Sequence, residues 1–135
     1  MTDRELLKLS IEAMQKSYSP YSGCKVGAAL LSKSGKVYLG CNIENASFTP
    51  TVCAERTAFF KAISEGETEF EKIAIVGGKG GKIDGMFAPC GVCRQVMSEF
   101  CEDDFEIIMV TGEDSFEKTT LREILPYRFK KEKVL

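Results

Sequence analysis

Hydrophobic positions along the chain change between helical spacing and short continuous runs. From Leu6 to Met14 apolar residues recur every three or four positions, and Thr2 with Glu5 forms the sequence pattern of a capping box. This predicts an amphipathic first helix. After a break that contains Pro20, the apolar run from Val26 to Leu31 predicts a buried strand.

The remaining sequence continues as an alternation of strands and helices. The predicted strands are 36–43, 72–76 and 106–111, and the predicted helices are 54–64, 91–101 and 120–125. Ser34 and Gly35 form a tight-turn signal that joins the first two strands into a hairpin. The pattern predicts an α/β fold with three α-β-α layers and a mixed central sheet. Because 135 residues suit one compact core, we expect a single domain over 1–135.

Charge is spread evenly along the chain. Eighteen basic and twenty acidic residues are interspersed, so no stretch offers a basic surface to a nucleic-acid backbone. No segment approaches the roughly 20 apolar residues that a membrane span requires. We therefore expect a cytoplasmic protein that binds neither nucleic acid nor membranes.

The six cysteines suggest metal chemistry in a chain that has no histidine. Cys90 and Cys93 are spaced i, i+3 at the start of a predicted helix, and Cys53 starts the helix before it. Three thiolates on one ion leave one tetrahedral position for water, which is typical of a catalytic zinc site. The Cys-x-x-Cys spacing alone fits a redox pair or two packed core cysteines equally well.

The neighbours of these cysteines favour the metal. Both helices follow strands, so their N-termini meet at the carboxyl edge of the sheet, where open α/β sheets bind ligands. Glu55 after Cys53 and Pro89 before Cys90 complete a pattern typical of zinc-dependent deaminases, in which the glutamate carries protons. Glu55 is thus the predicted catalytic residue. Arg56 on the same helical turn is predicted to hydrogen-bond a ligand thiolate and offset its charge.

Two motifs and several shorter segments resemble the cytidine deaminase family in the same order. The two zinc motifs are Cys53-Ala54-Glu55-Arg56 and Pro89-Cys90-Gly91-Val92-Cys93-Arg94-Gln95-Val96. The shorter segments are Pro20-Tyr21-Ser22, Val26-Gly27-Ala28-Ala29-Leu30, Gly40-Cys41-Asn42-Ile43-Glu44-Asn45-Ala46 and Leu125-Pro126. The resemblance implies a cytidine deaminase-like fold, one zinc ion per subunit, and hydrolytic deamination of cytidine and 2'-deoxycytidine in pyrimidine salvage.

The same resemblance implies roles for residues outside the zinc motifs. Asn42 and Glu44 would bind the ribose hydroxyls of a nucleoside. Cys24 stands where family members commonly carry an aromatic residue, and Phe48 stands where they carry tyrosine, so both are expected to line the pocket. Phe129 is similar to the C-terminal aromatic that, in small tetrameric deaminases, enters a neighbouring subunit's site, which implies a homotetramer with shared active sites.

Two alternative functions stay open at this point. The unusual residues Cys24 and Phe48 leave room for a related deaminase of a modified or non-standard aminated nucleoside. A non-catalytic module could use zinc only to hold its fold. The glycine-rich segment 77–82 could suggest phosphate binding, but no Ser or Thr follows at P-loop spacing, so we predict a surface loop.

Overall fold

The computed structural model describes residues 1–135 and places five strands in one mixed sheet. The elements in chain order are α1 (Asp3–Met14), β1 (Cys24–Ser32), β2 (Val37–Cys41), α2 (Ala54–Ser64), β3 (Phe70–Lys79), α3 (Gly91–Phe100), β4 (Glu106–Val110), β5 (Phe116–Thr120), α4 (Leu121–Ile124) and a 3-10 turn (Lys131–Lys133). The strand order is β2-β1-β3-β4-β5, and β3 and β4 are the only neighbouring strands that run parallel. None of the helices is long and apolar enough to cross a membrane.

The two faces of the sheet carry separate hydrophobic clusters. Successive strand side chains point to opposite faces, so Leu31 of β1 joins one cluster and Leu30 joins the other. Met14 of α1 packs into the first cluster, whereas Phe59 of α2 and Met97 of α3 pack into the second. One helical layer therefore covers each face, and the predicted three-layer α-β-α arrangement is confirmed.

Two glycines let the helices approach the sheet closely. A Cβ on Gly27 would lie 2.2 Å from the backbone oxygen of Ser10 in α1. On the other face, a Cβ on Gly40 would lie 2.4 Å from the backbone oxygen of Ala54 and 2.6 Å from the backbone nitrogen of Ala58. The depth at which α2 sits on β2, and with it the position of the α2 N-terminus, depends on this missing side chain.

Local sequence signals predicted the bounds of the helices closely. The predicted 54–64 helix has those bounds in the structure, and Gly66 follows it with a φ of 97°. The capping box forms in both directions, since the Glu5 N–H donates to Thr2 Oγ1 at 3.1 Å and the Thr2 N–H donates to Glu5 Oε1 at 3.4 Å. The short helix begins at Leu121 and ends at Ile124, inside the predicted 120–125.

The sequence failed to predict β5, which pairs antiparallel with β4 at the edge of the sheet. Its sequence, Phe-Glu-Lys-Thr-Thr, lacks an apolar alternation because much of an edge strand faces solvent. Lys118 instead forms ion pairs with Asp3 Oδ2 at 2.7 Å and with Glu106 Oε1 at 3.3 Å. These contacts tie the strand to α1 and β4, and they depend on residues far apart in sequence.

The predicted loop over 77–82 is wrong for its first half. Gly77, Gly78 and Lys79 extend β3, where they pair with residues of β1. The turn begins only at Gly80 and Gly81, which have φ values of 65° and 84°. Backbone pairing with a strand that is distant in sequence outweighs the weak strand preference of glycine here.

We expect Gly40→Ala to lower the free energy of unfolding by about 1–3 kcal/mol, because the new methyl group would collide with the α2 backbone. Urea denaturation followed by circular dichroism measures this change. Gly91→Ala is the matched control, since a Cβ at Gly91 meets no atom within 4 Å. The control should leave the free energy of unfolding unchanged or raise it by up to about 1 kcal/mol; equal losses in both variants would contradict the packing argument.

Candidate metal centre

Three cysteine thiols converge where α2 and α3 begin. Cys53 is the N-cap residue of α2, Cys90 is the N-cap residue of α3, and Cys93 lies in the first turn of α3. The sulfur of Cys90 lies 3.7 Å from that of Cys53 and 3.5 Å from that of Cys93. Because β2 and β3 both run antiparallel to β1, their carboxyl ends share one edge of the sheet, and the helices that follow start there.

The spacing of the sulfurs fits a zinc ion. A tetrahedral ion with zinc–sulfur distances of 2.3 Å places its sulfur ligands roughly 3.8 Å apart. The observed separations of 3.7 and 3.5 Å match this value, and all three sulfurs lie within 4.8 Å of one another. Cys93 is buried whereas Cys90 is exposed, so the cluster is reached from one side. Three protein donors leave the fourth position that a catalytic zinc site requires.

The surroundings of the cluster favour negative charge on sulfur. The thiol of Cys93 and the guanidinium of Arg56 both hydrogen-bond Cys53 and lower its pKa, with Arg56 Nη2 at 3.3 Å from Cys53 Sγ. The hydrogen bond that Cys93 donates to Cys53, together with its burial, raises the pKa of the Cys93 thiol. The positive ends of α2 and α3 also point at the cluster.

Arg56 stays charged in this position. Its partial burial opposes the charged form, but hydrogen bonds to the sulfurs of Cys53 and Cys93 outweigh that effect and raise the pKa of the guanidinium. Its Nε is buried without a hydrogen-bond partner. The structure thus places Arg56 against the thiols, as its spacing from Cys53 predicts.

Glu55 is a buried carboxyl group beside the cluster. It follows Ala54 in the first turn of α2, and only 4% of its surface is exposed. Burial raises its pKa to about 7, and the charge on Cys53 adds to the shift. A carboxyl group with such a pKa can both accept and release a proton near neutral pH.

A cleft of about 250 Å³ is lined by Glu55 and by two of the three cysteines, Cys53 and Cys90. Its lining is mainly apolar and includes the polar side chains of Asn42, Thr51 and Glu55. The lining residues are Val26, Asn42, Thr51, Val52, Cys53, Ala54, Glu55, Ile75, Phe87, Ala88 and Cys90. A larger cavity of about 500 Å³ near the C-terminus is lined by residues of both charges and contains none of the predicted site residues. The smaller cleft is the candidate site, because it contains a buried carboxyl group and two of the clustered cysteines, whereas the other cavity is only larger.

Asn42 borders the cleft with its amide held in one orientation. Its Oδ1 accepts hydrogen bonds from the Val26 N–H at 2.9 Å and from the Ser17 hydroxyl, and its Nδ2 donates to the Cys24 carbonyl at 2.9 Å. Because one partner is a backbone N–H and another is a carbonyl, the oxygen and nitrogen of the amide cannot exchange places. One N–H of the amide is left to donate to a ligand.

Glu44 lies in a neighbouring depression of about 320 Å³ that it shares with Tyr21, Ser22, Phe48 and Thr51. Hydrogen bonds from the Ser22 hydroxyl, and from the Ser22 and Tyr21 backbone N–H groups, hold the pKa of Glu44 below its ordinary value. Thr51 lines both the depression and the cleft. The two predicted ribose ligands therefore line adjacent cavities, with Thr51 common to both.

The three other residues predicted to line the pocket lie outside the cleft of this chain. Cys24 begins β1, and its carbonyl accepts from Asn42, but it does not line the cleft. Phe48 lines the depression beside Glu44, where its ring packs edge-on against Tyr21 at 6.3 Å. Phe129 is 60% exposed, and its carbonyl accepts from Gln95 of α3. Contact of these residues with a substrate stays a prediction.

The sequence did not single out Ser17, Ser22, Thr51 or Phe87. Ser22 belongs to the Pro20-Tyr21-Ser22 segment, so the family resemblance contained a signal for it. Ser17 and Thr51 lie in loops whose contacts form only when distant segments meet. Phe87 lies three residues before Cys90, and nothing in the local pattern separates it from a core residue.

A family model described as the zinc-binding region of cytidine and deoxycytidylate deaminases matches residues 1–109. The chain is 43% identical over 132 residues to a cytidine deaminase of Sporosarcina psychrophila, covering 98% of this chain and 94% of that protein. It is 45% identical over 128 residues to a cytidine deaminase of Halalkalibacterium halodurans, covering 94% of each chain.

Solved structures agree with these matches. The crystal structure of a cytidine deaminase from Burkholderia pseudomallei superposes with a TM-score of 0.87 at 43% identity, over 96% of this chain and all of that one. The cytidine deaminase of Mycobacterium tuberculosis superposes with a TM-score of 0.80 at 33% identity, over 96% of this chain and 98% of that one. By its sequence, its fold and its three-thiol centre, this chain belongs to the cytidine and deoxycytidylate deaminase family.

Proposed function

We propose that the protein is a hydrolase that deaminates cytidine and 2'-deoxycytidine to uridine and 2'-deoxyuridine, with release of ammonia. The observation that carries this proposal is the buried carboxyl group of Glu55 in a cleft beside three thiols with zinc-ligand spacing. The matched cytidine deaminases cover nearly the whole chain at 43% and 45% identity, which supports the same activity.

In the proposed site, Cys53, Cys90 and Cys93 would hold one zinc ion per subunit. When bound, zinc lowers the pKa of a water molecule and so supplies a nucleophile near neutral pH. The Glu55 carboxylate takes a proton from the attacking water and gives it to the ring nitrogen N3 as the new bond to C4 forms. It then moves the second proton to the amino group, and the C4–N bond breaks to release ammonia.

Asn42 and Glu44 would hold the sugar. The free N–H of Asn42 is a donor, and the Glu44 carboxylate, with three hydrogen bonds from residues 21 and 22, retains acceptor capacity. A ribose hydroxyl can accept from the amide, and another can donate to the carboxylate. This complementarity supports a free nucleoside as the substrate.

One relative supports a second candidate substrate. The chain is 31% identical over 131 residues to a blasticidin-S deaminase of Bacillus cereus, covering 94% of this chain and 91% of that protein. An aminated nucleoside antibiotic would use the same thiols and the same glutamate. Assays with cytidine and blasticidin S in parallel distinguish the two substrates.

The assembly is proposed by similarity to the small deaminases. Phe129 and Tyr127 are 60% and fully exposed in the isolated chain, which leaves both free to contact another subunit. We propose a cytoplasmic homotetramer with shared active sites that acts in pyrimidine salvage. Each subunit would be one domain over 1–135.

We expect Glu55→Gln to reduce turnover of cytidine by roughly a thousandfold while zinc remains bound, because the amide cannot carry protons and the thiols are unchanged. The loss of absorbance as cytidine becomes uridine measures turnover, and elemental analysis measures zinc. Glu71→Gln is the matched control, since Glu71 is exposed on β3. A Glu55→Gln variant that retains its turnover would contradict the assigned role.

A zinc-loaded wild-type protein that is inert on cytidine would overturn the proposed substrate. Activity on blasticidin S would then support the second candidate. A protein inert on every aminated nucleoside, with unchanged ligand binding in Glu55→Gln, would instead favour the non-catalytic module.

Removal of the Arg56 charge should reduce kcat or zinc affinity by about ten- to hundredfold, as is common for groups that contact metal ligands. The physical reason is that three thiolates and one zinc ion carry a net negative charge, which opposes the ionisation of a nearby water. Arg56→Gln tests this, with Arg122→Gln as control because Arg122 forms only an exposed ion pair with Asp103. Equal kcat and zinc affinity in both variants would rule out the electrostatic role.

Sedimentation should give a mass four times that of the 14.9 kDa chain. If Phe129 completes a neighbour's site, Phe129→Ala should raise KM without a change in this mass. Mixed tetramers of Phe129→Ala and Glu55→Gln subunits should then regain activity, because some sites contain Glu55 from one subunit and Phe129 from another. A monomeric wild type, or mixtures without any gain in activity, would contradict shared sites.

A further inference from the structure

The cleft contains one aromatic side chain among its eleven lining residues, and that side chain is Phe87. The other apolar contributions come from aliphatic or small residues, among them Val26, Ile75 and Ala88. Clefts that bind planar heterocycles commonly combine an apolar wall with a few polar groups and use aromatic side chains for ring contacts. Phe87 is therefore the one group in the described cleft that can make an aromatic contact.

The ring of Phe87 lies against the backbone of β3 at Gly77. A Cβ on Gly77 would lie 2.7, 2.8 and 2.9 Å from three carbon atoms of the ring, so any side chain larger than hydrogen would displace it. Gly77 is opposite Val26 in the β1–β3 register, and Ile75 precedes it by two positions on the same face. Val26 and Ile75 both line the cleft, so the ring continues the apolar wall that they form.

The segment that leads to Phe87 is also fixed on β3. The Asp84 N–H donates to the Gly77 carbonyl at 3.2 Å. The Lys82 carbonyl occupies the space of a Cβ on Gly78, only 1.6 Å from that position. Two adjacent glycines thus hold the returning chain against the strand. The ring itself is only partly buried, so part of it is available to a ligand.

We propose that Phe87 binds the heterocyclic ring of the substrate, and that Gly77 positions the Phe87 ring for this contact. The inference rests on the proposed function, because it assigns the aromatic contact in the same cleft. It adds a substrate-binding residue and a positioning residue to the site. Both follow from the shape of the cleft and from the packing of the ring on a glycine.

Phe87→Leu should raise KM for cytidine by about tenfold and change kcat by less than about threefold, because a contact made equally in the ground and transition states affects mainly binding. Gly77→Ala should also raise KM, since the added methyl group displaces the Phe87 ring without changing it chemically. Phe116→Leu is the control, because Phe116 is a partly buried residue of β5 outside the cleft. The control should leave KM unchanged.

Binding without turnover provides a second measurement. Calorimetric titration of cytidine into zinc-loaded Glu55→Gln protein gives a Kd. The double variant that carries both Glu55→Gln and Phe87→Leu should have a Kd raised by the same factor as KM. Zinc content and the urea midpoint are measured for each variant. If Gly77→Ala fails to fold, the Phe87→Leu result alone decides.

Unchanged KM and Kd in a folded, zinc-loaded Phe87→Leu protein would overturn the inference. A loss of zinc from that variant would also overturn it, since Phe87 would then support the Cys90 segment instead of the substrate. Both outcomes are distinct from failure of the proposed function, which is a zinc-loaded wild type that does not deaminate cytidine.

Discussion

Mutual repulsion among three neighbouring thiolates is the constraint around which the structure is arranged. Three sulfurs within 4.8 Å of one another cannot all be ionised without a strong source of positive potential. The fold supplies two helix N-termini and the Arg56 guanidinium, and a bound divalent ion would complete the compensation. The parallel alignment of β2 with β3 across β1 is what brings the two helix ends to one edge of the sheet. The short distance between α2 and the sheet depends in turn on the missing side chain of Gly40.

The site combines polar groups held by hydrogen bonds with an apolar wall. Glu55 is buried close to the thiols, which raises its pKa toward neutrality and suits it to proton transfer. Asn42 and Glu44 are already bonded to the chain, so their remaining donor and acceptor positions are fixed before a ligand arrives. The apolar side, with Phe87 seated on Gly77, offers contact area without polar groups that would need partners.

Local signals were sufficient where a residue's role depends on its near neighbours. The capping box of Thr2 and Glu5 is a contact over three residues, and the 54–64 helix ends at a glycine stop. The same holds for β1, whose continuous apolar run marks a strand buried on both faces. By contrast, β5 is polar and depends on pairing with β4 and on the ion pairs of Lys118. No local pattern encodes such contacts.

The sequence by itself determined the chemistry: three cysteines, a glutamate and an arginine at fixed positions on two helical turns, within an alternation that specifies the layers of the fold. Spacing within one turn fixes direction, so Cys90 with Cys93, and Cys53 with Arg56, were correctly paired. Only the tertiary structure decided what surrounds that chemistry. It brings Ser17 and Val26 within hydrogen-bond distance of Asn42, places Glu44 in an adjacent depression, and places Phe87 in the cleft. Each of these contacts joins segments whose distance is set by sheet register and not by sequence separation.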